Sequence, residues 1–105
     1  MSNSGNFKSP FLENRERIFE NSSGFVIFDK FPVSEGHCLV VPHRVYSNYF
    51  DSTDDEVIGL NHLLSKTKEF LVKKLDTPGF NIVINCGEVS GQTVDHLHIH
   101  IIPVS

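Results

Sequence analysis

Residues 96 to 102 read HLHIHII, which places three of the chain's six histidines at every second position. Side chains alternate between the two faces of an extended strand. His96, His98 and His100 then share one face, and Leu97, Ile99 and Ile101 share the other. Three neighbouring imidazoles do not make an ordinary core, because each would need a polar partner. The histidine face is therefore expected to border a polar cleft.

Two chemistries suit it. In metal binding, imidazoles two residues apart, with Cα atoms about 6.6 Å from each other, can meet one ion. The outer pair, about 13 Å apart, is long for a shared zinc with bonds near 2.1 Å. A metal site would more naturally recruit two of these histidines with His37 or Glu88. In covalent catalysis, one imidazole attacks while its neighbours orient it and hold the charge that develops. Histidine does this near neutral pH, since its neutral form is a nucleophile and its charged form an anion clamp. The segment CGEVSGQTV just before the histidines favours the second chemistry. Gly87, Ser90 and Gly91 permit close backbone approach, and Gln92 and Thr93 supply donors suited to a phosphate or sugar.

The elements that must position these residues are legible in outline. GFVIFD at 24–29 and HCLVVP at 37–42 read as an antiparallel strand pair, joined by a connection of turn composition. Residues 53–75 read as a helix. Thr53 with Glu56 forms a capping box, Asp54 and Asp55 suit the first turn, and Lys73 and Lys74 the last. Val57, Leu60, Leu64, Thr67 and Leu71 make its apolar stripe, broadened by Leu63 and Phe70. FNIVIN at 80–85 and DHLHIHII at 95–102 are two more strands, the last bounded by Pro103. Residues 10–19 could hold a short helical turn anchored by Phe11, Ile18 and Phe19, and residues 1–9 are expected to be flexible. The pattern β-β-α-β-β implies an α+β fold, an antiparallel sheet packed against one long helix.

A chain of 105 residues fits a single domain over 1–105, with a C-terminal tail that is short or truncated. The formal charge of −4 and the lack of a basic cluster argue against nucleic acid as a partner. No apolar run approaches 18 residues and the N-terminus has no apolar signal core, so a cytoplasmic protein without a membrane partner is expected. Cys38 and Cys86 stand in strand-like text without a CxxC motif and read as buried free thiols.

The segment His96-Leu97-His98-Ile99-His100-Ile101-Ile102 resembles the hallmark of the histidine-triad (HIT) family. The likeness extends through Asn85, Gly87 and Ser90-Gly91-Gln92-Thr93-Val94, and through Asp29-Lys30, Pro32-Val33 and Gly36 to Pro42. It implies a HIT-like fold, a homodimer and a purine nucleotide substrate. It also implies cleavage at the α-phosphorus of dinucleoside polyphosphates or nucleoside phosphoramidates through a nucleotidyl-histidine intermediate. On this resemblance His98 is the nucleophile, His96 supports it, and His100 and His37 contact phosphate. Asp29 would hold ribose, Ile27 and Leu39 would wall the base pocket, and Asn85, Gln92 and Thr93 would contact phosphate or leaving group.

No cofactor is built into that scheme, although Mg²⁺ can accompany a polyphosphate. Zinc-bearing members carry extra cysteines near the start; this chain has none there, so no structural zinc is expected. Asp29 leans toward the phosphoramidate branch, whereas DKFPVSEGHCLVVPHR looks more like the polyphosphate or general microbial type. The alternative is a non-enzymatic nucleotide-binding regulatory protein, against which the complete set of His96, His98, His100 and His37 speaks.

Overall fold

A computed structural model describes residues 7–105. Expectations for residues 1–6 lie outside the described residues. The strands are β1 (Phe19–Glu20), β2 (Gly24–Phe28), β3 (Cys38–Pro42), β4 (Gly79–Val83) and β5 (Ile99–Val104), with helix α1 (Asp54–Leu75) between β3 and β4. They form one sheet in the order β1-β2-β3-β5-β4, with every neighbouring pair antiparallel. The α+β architecture matches the expectation, with the two-residue β1 added to it.

The capping box forms as the sequence implies. Glu56 N–H donates to Thr53 Oγ1 at 3.1 Å, and Thr53 N–H to Glu56 Oε1 at 2.8 Å. Leu60, Leu63, Thr67 and Leu71 face the sheet, where they meet Val26, Val40, Leu97, Ile99 and Ile101. A second apolar cluster, Phe11, Phe25, Ile27, Leu39 and Val41, fills the opposite face of the sheet. The sheet thus buries side chains on both faces, and the second face is covered by the N-terminal segment rather than by a helix.

One expectation is corrected. The last strand runs from Ile99 to Val104, not from 95 to 102, and it passes through Pro103. β3 pairs with β5 only as far as Ile101, so Pro103 has β4 alone as a strand partner and its missing N–H is tolerated. The short helical turn expected within residues 10–19 is present at Pro10–Leu12, and the chain then becomes extended into β1. Among the described residues, no helix is long and apolar enough to cross a membrane.

Candidate functional site

A cleft of about 310 Å³ opens where the N-terminal segment crosses the sheet. Pro10, Phe11, Leu39 and Val94 give it an apolar side; Asp29, Thr93, His98 and His100 give it a polar one, and Arg15, Lys30 and Phe31 complete the lining. Its size falls at the lower end of small-molecule sites, roughly 300–1,000 Å³.

The hydrogen bonds assign the tautomers of His96, His98, His37 and His100. His96 is fully buried, with Nε2 at 2.8 Å from the Pro42 carbonyl and Nδ1 at 2.6 Å from Ser9 Oγ. A carbonyl only accepts, so Nε2 carries the proton and Nδ1 accepts from the serine hydroxyl. Burial pushes the His96 pKa down and keeps the ring neutral, with the bond to Pro42 opposing the shift. His98 Nδ1 lies 2.8 Å from the His96 carbonyl and donates to it. With that proton on Nδ1, His98 Nε2 has no hydrogen-bond partner among the described residues, and the ring lines the cleft.

His37 and His100 form a relay. Val33 N–H donates to His37 Nδ1 at 3.0 Å, so the proton of neutral His37 sits on Nε2. That nitrogen lies 2.9 Å from His100 Nδ1 and 3.3 Å from Asp29 Oδ2. His100 therefore accepts on Nδ1, and its Nε2–H is the donor left for a ligand. Burial lowers the pKa of both histidines; His98 and His37 depress His100 further, while Asp29 pulls both upward. Asp29 Oδ1 also accepts the Phe31 N–H at 2.9 Å, which shapes the loop at the cleft rim.

The ligand atoms of Asp29, His37 and His100 lie within 4.8 Å of one another, a spacing at which metal ligands gather. An ion there would need the His37 Nε2 lone pair. The Val33 N–H leaves the lone pair of neutral His37 on Nδ1 instead, so the cluster is better built to donate hydrogen bonds than to chelate.

The structure brings His98, His100, Asp29, Leu39 and Thr93 to the cleft and buries His37 directly behind His100. It does not bring His96, Ile27, Asn85 or Gln92 to the lining. Ile27 is buried in the core beside Leu39, its cross-strand partner. Gln92 is buried with its amide committed: Oε1 accepts from Gly87 N–H at 2.8 Å, and Nε2 donates to the Ser47 and Val94 carbonyls at 2.9 and 3.0 Å. It clamps the loop that carries Thr93. His43 also stays off the lining, bonded to the Asn21 carbonyl at 2.9 Å.

Sequence reasoning missed Ser9, Arg15 and the backbone N–H of Val33. Phe11 was expected to be an apolar anchor, and Ser9 to lie in a flexible leader; both are buried against the histidines. No periodic or spacing signal could have found Ser9.

A family model described as the HIT domain matches residues 13–105. The chain belongs to the HIT family. An uncharacterized 16.1 kDa HIT-like protein of Mycoplasma pneumoniae is 41% identical over 88 residues, 83% of this chain and 60% of that protein. This HIT chain thus spans less than two-thirds of that relative's length. The Caenorhabditis elegans NitFhit structure superposes with a TM-score of 0.80 at 36% identity, covering 82% of this chain and 21% of that one. A Plasmodium falciparum diadenosine triphosphate hydrolase, solved with cyclomarin A, superposes with a TM-score of 0.86 at 28% identity, covering 99% of this chain and 72% of that one.

Proposed function

We propose that this HIT domain is a nucleotide hydrolase or transferase that cleaves at the α-phosphorus of a nucleoside phosphoramidate or dinucleoside polyphosphate. The observation that carries the proposal is the free Nε2 of His98, which faces a cleft whose other wall ends in the His37–His100 relay. The likeness to a diadenosine triphosphate hydrolase supports the polyphosphate branch of the substrate class.

In the proposed reaction the purine lies against Phe11, Leu39 and Val94, and the ribose hydroxyls meet Asp29. His98 Nε2 attacks the phosphorus in line. One N–P bond forms as the P–N or P–O bond to the leaving group breaks. A leaving amine takes up a proton from solvent water; a leaving nucleoside phosphate needs none. Water then adds to phosphorus as the N–P bond breaks, its proton passing to solvent, which frees His98 Nε2 and releases the nucleoside monophosphate. Two easier displacements replace one difficult one. His100 Nε2–H donates to an equatorial oxygen as charge gathers there, and His37, held by Val33 and Asp29, keeps that donor aimed. Thr93 lies at the cleft for a further phosphate contact, while Gln92 and Asn85 act through the shape of their loop. Mg²⁺ travels with a polyphosphate substrate in this scheme and has no resident site.

A cytoplasmic, homodimeric protein completes the proposal. Its support is the free thiols of Cys38 and Cys86 and the edge strand β4, where Ile82 and Val83 are exposed. The deciding experiment incubates the protein with adenosine 5′-phosphoramidate and with diadenosine polyphosphates and follows AMP release. Turnover of one class is expected, with a covalent nucleotidyl species trapped on His98. AMP binding without any turnover would instead establish a non-enzymatic nucleotide-binding protein.

A further inference from the structure

We propose that Ser9 and Phe11, in the turn that crosses the sheet, are positioning residues for His98; the inference rests on the function proposed above. The HIT model begins at residue 13, so neither side chain belongs to the span that this model matches. Both are nonetheless 7% exposed and packed on the histidines.

The geometry forms a chain of dependence. Ser9 Oγ accepts the Phe11 N–H at 3.2 Å and donates to His96 Nδ1 at 2.6 Å. The Pro42 carbonyl holds the other nitrogen of that ring at 2.8 Å. With both nitrogens committed, the His96 ring has one orientation and one tautomer. Its backbone is fixed with it, and the backbone carbonyl of His96 is the acceptor for His98 Nδ1–H. Phe11 acts from the other side. Its ring centroid lies 4.9 Å from that of His98 and 5.8 Å from that of His96, which restricts rotation of the His98 imidazole.

Ser9 thus fixes the acceptor that places the lone pair of His98 on Nε2, and Phe11 fixes the direction in which it points. Neither residue exchanges a proton with substrate. Among the described residues no buried side-chain nitrogen or oxygen lacks a partner.

The test compares wild type with S9A, S9T and F11L. Nitrogen–proton correlation spectra of the imidazoles, recorded without nucleotide, are expected to show His98 as a single Nδ1–H tautomer in wild type and S9T. S9A and F11L are expected to give a mixture of tautomers. Turnover in S9A is expected to fall about tenfold or more in kcat with KM changing less than about threefold, because misplacing a reacting group costs rate rather than binding. Restoration by S9T supports the proposal.

A purely structural role would lower Tm while leaving the His98 tautomer and the kcat of the folded protein unchanged, and that result overturns the proposal. If S9A does not fold, the F11L spectrum decides: one unperturbed His98 tautomer overturns it. If the wild-type protein turns over no nucleotide, the function proposed above fails. The spectra still report whether Ser9 and Phe11 hold His98.

Discussion

His37, His96 and His100 all have pKa values driven below the ordinary histidine value, chiefly by burial. The unfolded chain, with histidines near 6.5, therefore binds more protons than the native state as pH falls through that value. Stability from these groups is fully present above about pH 6.5 and is lost as pH falls below it toward the folded values. Each contributes a slope of up to about 1.4 kcal/mol per pH unit. Urea unfolding at pH 7.5 and 5.5 checks this; equal stabilities at the two pH values would contradict it. At the same scale, His98→Ala is expected to remove turnover by on the order of 10³-fold or more, because the attacking atom is gone. Nucleotide binding, measured by calorimetry, should survive in that variant, since Leu39, Asp29 and His100 are untouched.

Helix α1 holds the sheet from one side, and its start and its close approach to the sheet can be probed separately. Thr53→Ala removes the oxygen that accepts the Glu56 N–H and is expected to cost about 1 kcal/mol. Glu56 also pairs with Arg44 at 2.9 and 2.8 Å, and its carboxyl is held down at about 2, with Arg44 the main cause. Gly59 offers the opposite lesson. Alanine is the better helix former by up to about 1 kcal/mol. A Cβ at Gly59 would nevertheless collide with the Ser23 side chain, so Gly59→Ala should destabilise by roughly 1–3 kcal/mol. Combining it with Ser23→Gly should recover most of that loss in denaturant melts. A Gly59→Ala protein as stable as wild type would mean that the turn at Ser23 moves aside freely.

For the whole molecule, a ligand that binds only the native state stabilises it by mass action. AMP at a hundredfold its Kd is expected to add about 2.7 kcal/mol to unfolding, raising Tm by roughly 10–20 °C in a domain of this size. A scanning calorimetry trace unmoved by millimolar AMP would count against a nucleotide cleft. The proposed homodimer makes a separate prediction. Ile82 is 56% exposed on edge strand β4. Ile82→Lys should shift sedimentation toward a monomer without loss of the fold.

The alternation of HLHIHII determined by itself that Leu97, Ile99 and Ile101 would meet the helix and that the histidines would face the other way. Thr53 with Glu56 likewise determined where α1 begins, because a capping box is satisfied within four residues. Periodicity and capping are local, and so they can be read from the text. What His96 and His100 do is decided by partners far along the chain, whereas His98 and His37 take their tautomers from backbone groups close by. His96 meets Ser9 and Pro42; His37 meets His100 and Asp29. The expectation that all three histidines border one cleft gave way to one sealed ring, His96, with only His98 and His100 on the lining. Gln92 showed the same limit, since its amide closes a loop instead of facing the cleft. A tautomer is set by which donor or acceptor the fold delivers to each nitrogen. Only the tertiary structure supplies that pairing, because its members stand as many as 87 residues apart.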